Sequence, residues 1–379
     1  PDGATAAGAW LVVMPATAVE RPHVLLALSA HGYGHLAQCA PVINALSVVV
    51  PVLQLSVCST LPQSVIANRI SIPCDVHAVE LDPVLQMHSA WEVDAPASQQ
   101  VYRAFHEDWE AGLQRDRQLL RELNPDVVLA DIPYRILLAA EQLGVAAIGL
   151  CSLNWAAIYS AYCAGDDMDT RMLAQMLSGY RAADVFLMPQ PAMAMPELDN
   201  ARVIGPIARS GVQQRSALLT SGGIPVDARV ILVALGGIET EMPLANWPQL
   251  ENICWIFAHA VHAERDDMLD LDELSMSFID VLASVDVVLT KPGYGTYAEA
   301  VCHGVALLVL ARRDWPETAT LNQWAQQHGH IATITREQFH GGEFVSEVEA
   351  LLALPPGAGL EPTGISDAVA VLREALSAD

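Results

Sequence analysis

Two stretches of the chain carry side chains that could do chemistry, each set where an apolar run turns into a helix. The first is His31-Gly-Tyr-Gly-His35, which follows the apolar run 22–30 and leads into an apolar helix over 36–46. An imidazole at a helix start, with an ordinary pKa close to neutrality, suits a general base. His35 is the candidate and His31 its rival. Asp131 closes another apolar run, 125–131, and can either orient the imidazole or act as the base itself. The second stretch is 286–300, in which the buried-strand pattern 287–290 is broken by Pro292-Gly-Tyr-Gly295. Thr296 reads as a helix N-cap with Glu299 completing a capping box, and the helix 297–303 stops at Gly304. A glycine turn opening a helix offers free N–H groups and the positive end of a dipole to a phosphate. Lys291, inside this turn, is the only lysine in the chain.

The elements needed to hold these groups follow in order. Strands are expected at 52–58, 74–79, 125–131, 146–150 and 184–188, with a long amphipathic helix over 97–123 and another over 136–143 that ends at Gly144. The segment 82–98 reads as irregular, and 203–207 as a crossing between domains. A second series begins at 229–235, runs into Gly236-Gly237, and continues with strands at 253–257, 287–290, 306–310 and 331–334. Helices are expected at 281–285 and 321–328, and the tail from 345 is helical with a break at Pro355-Pro356. The acidic run 266–273 reads as a solvated loop. Strands alternating with helices imply parallel sheets, and two such series imply two doubly wound α/β domains facing across a cleft. The boundaries are residues 22–207 and 208–379, with the C-terminal helix free to return to the first domain. Residues 1–21 read as an N-terminal extension or remnant.

Composition limits the partners. The chain has 379 residues, 52% apolar and 17% charged, which suits a well-buried globular protein of two domains. A net charge of −25 argues against nucleic acid and anionic membranes, so a phosphorylated ligand must be held by local groups. The seven cysteines form no C-x-x-C pair and no zinc spacing, as expected of buried thiols in a cytoplasmic protein. No segment reads as a stable membrane span, and a homodimer is left open.

The layout resembles that of GT-B glycosyltransferases. The segment 277–299 is similar to the donor-domain nucleotide loop and phosphate turn of the peptidoglycan N-acetylglucosaminyltransferase family. His31-Gly-Tyr-Gly-His35 with Arg312-Arg-Asp-Trp-Pro-Glu317 is closer still to the glycosyltransferase-like domain of plant L-arabinokinases and of bacterial predicted glycosyltransferases. The resemblance covers nearly the whole chain from residue 22, although the second half is short between Phe257 and Phe278.

What the resemblance implies can be stated residue by residue. Phe278 and Ile279 would border the base of a nucleotide sugar. Gly293, Tyr294, Gly295 and Thr296 would hold its pyrophosphate, with Gly34, Gly237 and Lys291 beside it. Glu317 would accept hydrogen bonds from the ribose, and Arg312, Arg313, Asp314 and Asn322 would face the donor sugar or phosphate. The expected reaction is an inverting transfer from a nucleoside-diphosphate sugar, UDP type favoured, to a small soluble acceptor, with His35 and Asp131 catalytic and with neither metal nor cofactor. The alternatives are a nucleotide-sugar 2-epimerase or hydrolase, and a non-catalytic nucleotide-sugar-binding module.

Overall fold

The computed structural model describes residues 21–377 except 89–91, 164, 237–241, 262–264 and 313. The N-terminal extension, Gly237 and Arg313 therefore lie outside the described residues.

Seven strands form the first sheet: β1 (His23–Leu28), β2 (Gln54–Cys58), β3 (Asp75–His77), β4 (Val127–Asp131), β5 (Ala146–Leu150), β6 (Val185–Pro189) and β7 (Ala201–Ile204), in the order β3-β2-β1-β4-β5-β6-β7. Six form the second: β8 (Arg229–Ala234), β9 (Ile253–Phe257), β10 (Met268–Asp270), β11 (Val287–Thr290), β12 (Ala306–Leu310) and β13 (Ile331–Ile334), in the order β10-β9-β8-β11-β12-β13. The strands pair in parallel throughout both sheets. The central strands are apolar on both faces because helices cover both faces, whereas the edge strands β3 and β7 are partly exposed. In β1, Leu25 and Ala27 join one core while Val24, Leu26 and Leu28 join the other. In β8, Val230 and Leu232 alternate with Ile231 and Val233 in the same way.

Each sheet reverses its winding once, between β1 and β4 in the first and between β8 and β11 in the second. Ligands of doubly wound sheets sit beyond the carboxyl ends of the strands at that point. Leu28 pairs with Asp131 at the first reversal, and Thr290 pairs with Ala234 at the second. Both stretches singled out in the sequence therefore leave a sheet at its reversal point.

Several local expectations need correction. The helix expected over 97–123 is two, Ala95–Glu107 and Trp109–Leu123, broken at Asp108. The first starts early because Asp94 caps it, accepting from the Ala97 N–H at 3.0 Å. The break lets Trp109 stack flat on His106 at 5.1 Å. The helix of the glycine turn spans Tyr294–Cys302, with Gly293 at its N-cap position and no side-chain cap. Thr296 therefore lies inside the first turn, and Glu299 bonds Arg209 at 2.6 Å instead of closing a capping box. The helix expected at 281–285 is Phe278–Leu282, because Ser277 caps it. The acidic run is not a plain loop. Met268–Asp270 pairs with β9, and buried Asp270 accepts from the Val261 N–H at 2.9 Å.

The chain returns to the first half at its end. The helix Gly364–Ala375 places Ala368 and Leu372 in one core with Leu36, Ile43 and Leu46 of the helix Gly34–Val49. Gly205 and Gly364 touch backbone to backbone there, and a Cβ on Gly364 would sit 2.1 Å from the Gly205 carbonyl oxygen.

Candidate active site

The first half contributes a buried polar cluster. Gly32 takes φ +75°, which bends the chain out of β1 and into the helix starting at Gly34. His35, 5% exposed, projects from the first turn of that helix to Asp131 at the end of β4. Its Nδ1 lies 2.8 Å from Asp131 Oδ1. The other carboxylate oxygen accepts from Cys39 Sγ at 3.3 Å. With Nδ1 engaged, Nε2 is the ring atom left to meet a substrate. Burial opposes protonation of His35, but the adjacent Asp131 outweighs it and raises the imidazole above its ordinary pKa. His31 behaves differently. Burial, His35 and Arg312 together push it down to about 3. It stacks on Trp315 at 6.3 Å and meets the edge of Trp155 at 5.2 Å, so it forms part of an aromatic wall and is a poor base near neutrality.

One carboxyl in this cluster was missed in the sequence. Asp82 is buried, accepts from Trp155 Nε1 at 2.7 Å, and is pushed up to about 6 by that burial. It lies in a segment without periodicity. Its signal was chemical: an acid set between the apolar residues Leu81 and Pro83-Val-Leu85.

The second half faces this cluster. The Tyr294–Cys302 helix begins beside the Gly34–Val49 helix, and a Cβ on Gly295 would lie 3.5 Å from Ala37 Cβ. Two helix N-termini thus meet across the cleft. The Tyr294 side chain points into the first half, where its hydroxyl accepts from the Ile207 N–H at 2.8 Å and donates to the Gln190 carbonyl at 3.0 Å. Lys291 follows β11, and its Cε would be 3.3 Å from a Cβ on Gly236. Gly236 has φ +80°, so this close approach and the turn both suit glycine. Burial, helped by Arg312, lowers Lys291 to about 8.

Glu317 is buried with both oxygens engaged. Oε1 accepts from Ser152 Oγ at 2.7 Å and Oε2 accepts from Trp315 Nε1 at 3.3 Å. Ser152 is held in turn by Gln38, which accepts from its backbone N–H at 3.1 Å. Burial raises the Glu317 carboxyl above its usual range. Asn322 accepts from the Tyr297 hydroxyl at 2.7 Å. Asp314 is half-exposed and lies 3.9 Å from Arg312 Nε, beyond hydrogen-bond reach.

Phe278 and Ile279 are not brought to this place. The Ile279 carbonyl lies under the interdomain segment, 2.3 Å from a Cβ built on Gly211. Gly211 donates to His303, at the opposite end of the helix that Tyr294 begins. Among the described residues, the atoms of His35, Asp131 and Cys151 lie within 4.8 Å of one another and could ligate a metal. An ion there would replace the bond between His35 and Asp131.

Comparison with known proteins bears on this arrangement. No protein-family model matches the chain. The chain is 25% identical over 256 residues to an uncharacterized glycosyltransferase of Methanopyrus kandleri, covering 63% of this chain and 72% of that protein. It is 22% identical over 339 residues to the L-arabinokinase of Arabidopsis thaliana, covering 87% of this chain and 32% of the kinase, so it spans about a third of that protein. Among solved structures, the calicheamicin glycosyltransferase CalG4 superposes with a TM-score of 0.61 at 16% identity over 94% of each chain. The spinosyn rhamnosyltransferase SpnG gives 0.59 at 16% identity over 94% of this chain and 96% of that one. The chain has the GT-B glycosyltransferase fold.

In GT-B terms the two reversal points face one cleft. From the first half, His31 and Ser152 reach across to Trp315 and Glu317, with His35, Asp82 and Asp131 buried behind them. Lys291, Arg312, Glu317 and the start of the Tyr294–Cys302 helix line the cleft from the second. The GT-B cleft is shut in this state, since Glu317 bonds Ser152 and the Tyr162 hydroxyl donates to the Asp314 carbonyl at 2.6 Å. Among the described residues, no helix is long and apolar enough to cross a membrane.

Proposed function

We propose that this protein transfers a sugar from a nucleoside-diphosphate sugar to the hydroxyl of a small acceptor, with inversion and without a metal ion. The observation that carries this reading is the approach of Ala37 to Gly295, which brings the helix that carries His35, itself paired with Asp131, against an uncapped helix N-terminus.

His35 Nε2 takes the proton from the acceptor hydroxyl as the oxygen attacks the anomeric carbon. Asp131 holds the ring by Nδ1 and stabilises the imidazolium. The bond to the diphosphate breaks on the opposite face, and the leaving negative charge meets the N–H groups of residues 294–296 and the Lys291 ammonium. Gly293, Gly295 and Gly34 keep side chains out of the phosphate path. Asn322, braced by Tyr297, would face the donor sugar or phosphate. Glu317 can take the ribose hydroxyls only by exchanging its bond to Ser152. UDP is the first nucleotide to try. One structural neighbour is named a UDP-glucosyltransferase of Polygonum tinctorium, and another, SpnG, is described with thymidine diphosphate.

The test is a melting-temperature screen against nucleoside diphosphates, followed by turnover of the matching sugar nucleotide by the wild type and by His35→Gln. A shift with one diphosphate, and loss of turnover with binding kept in the variant, is expected. No shift with any diphosphate at millimolar concentration would refute the donor site. A second reading has an observation of its own: Asp82 and Glu317 are two buried acids whose charges both act on His35. A nucleotide-sugar 2-epimerase or hydrolase would use such acids, and would release free sugar without any acceptor.

A further inference from the structure

Arg312 is 8% exposed, and its Nε and Nη2 atoms meet no hydrogen-bond acceptor among the described residues. These two nitrogens form one edge of the guanidinium, the edge that takes a carboxylate or phosphate with two parallel bonds. The same molecule shows that edge filled elsewhere. Arg135 gives Nε and Nη2 to Asp116 at 2.7 and 3.2 Å, and both partners are buried. Among the described residues its one ion pair is the loose one with Asp314, 3.9 Å from Nε and half in solvent, while Tyr162 and Glu317 act on it without filling that edge. Its plane is fixed by stacking on Trp315 at 4.5 Å. A buried cation with an unfilled edge is costly unless something supplies the anion.

The surroundings indicate which anion. Tyr162 and His31, both from the first half, act directly on Arg312 or feel its charge. The diphosphate already has the helix start at Tyr294 and Lys291. We propose that Arg312 receives a single carboxylate or phosphate group carried by a sugar substrate, so that either the acceptor or the transferred sugar is anionic. The aromatic wall of His31, Trp155 and Trp315 would stack the sugar ring while the Arg312 fork fixes its charged end. Entry requires the cleft to open, which breaks the bonds from Ser152 to Glu317 and from Tyr162 to Asp314.

This inference rests on the proposed transferase reading, and calorimetry separates the two. The first titration is a nucleoside diphosphate alone; if none binds the wild type, the transferase reading falls and this proposal falls with it. In the second, protein saturated with that diphosphate is titrated with glucose, glucuronate and glucose 6-phosphate, which tests an anionic acceptor. In the third, UDP-glucose is compared with UDP-glucuronate, which tests an anionic donor sugar. A preference of about tenfold or more for the charged ligand is expected in one of these two arms. That preference should vanish in Arg312→Gln and be partly kept in Arg312→Lys, each first shown to be folded by its melting curve. Equal affinity for charged and neutral ligands in both arms would overturn the proposal. So would a preference that survives in Arg312→Gln, or a loss of diphosphate binding in that variant as deep as in Lys291→Gln.

Discussion

The Glu317 carboxylate, from the second half, accepts a hydrogen bond from Ser152 of the first at 2.7 Å, in a place closed to water. It is one of the bonds that hold the cleft shut. Its burial gives it a testable pH signature. A carboxyl raised by burial is favoured in its neutral form, so its destabilising effect is absent below the unfolded pKa. That effect grows as pH rises through the folded value. Glu317→Gln keeps an acceptor for Ser152 without the charge. Its melting temperature is expected to exceed that of the wild type at pH 8 and to match it at pH 4. Equal melting temperatures at both pH values would contradict this account.

The His35 pair sets the acid side of the rate profile. His35 is raised by Asp131 against its own burial, so the free base becomes available only above the ordinary histidine range. The acid limb of kcat/KM is expected above pH 6.5. Stability from the charged pair is fully present below the unfolded pKa and is lost as pH rises through the folded value. In Asp131→Asn the burial of His35 is opposed only by the charges of Asp82 and Glu317, so the limb should move to lower pH while turnover falls about a hundred- to ten-thousandfold. A limb that stays in place would assign the base to another group.

Lys291 supplies a second pH limit, of opposite sign. Lowered to about 8, it loses its charge as pH rises through that value. Diphosphate affinity is expected to weaken between neutral pH and pH 9, and to become independent of pH in Lys291→Gln. Isothermal titration across that range measures both.

Gly295 tests the helix N-terminus. An aspartate there would bring a carboxylate to the place proposed for the diphosphate, and its Cβ would already touch Ala37. Gly295→Asp is expected to abolish nucleotide-dependent stabilisation, whereas Gly295→Ala should only reduce it. Unchanged nucleotide shifts in the aspartate variant would move the phosphate site elsewhere.

Away from the cleft, Arg135 and Asp116 form a buried pair with side chains about 4% exposed. Removing the cation alone leaves a buried carboxylate without its partner. Arg135→Met is expected to cost about 3–5 kcal/mol in urea unfolding, more than the double variant that also carries Asp116→Leu.

Much of this architecture was legible because strands buried on both faces are continuous apolar runs, as in 23–28, 127–131 and 287–290, and glycine turns mark where each ends. His35 and Asp131 could be named because each stands at such an end. Helix boundaries were less legible. Thr296 and Glu299 have capping-box spacing, yet the helix starts at Tyr294, because the Tyr294 hydroxyl is fixed by Ile207 and Gln190 and that tie is long-range. Asp82 escaped for a related reason: an irregular segment acquires meaning only when Trp155 folds over it. The proposed base-binding role of Phe278 and Ile279 came from motif similarity, which does not reveal that the segment around Gly211 lies over them.

The Tyr294 tie has a mechanical consequence. The hydroxyl bridges Ile207 and Gln190, the chain crosses at 205–214, and the Gly364–Ala375 helix crosses back onto the Gly34–Val49 helix, so Tyr294, Ile207, Leu36 and Leu372 all join one core. That shared core is a spine. A second attachment, where Trp315 joins the other core of the first half, is held by the bonds of Ser152 to Glu317 and of Tyr162 to Asp314. An opening that parted those two bonds would separate Glu317 from Ser152 and leave the ties of Tyr294 to Ile207 and Gln190 unbroken. In the proposed reaction the end that meets the diphosphate would thus stay assembled through each cycle of opening, and only the end that meets the sugar would come apart and re-form.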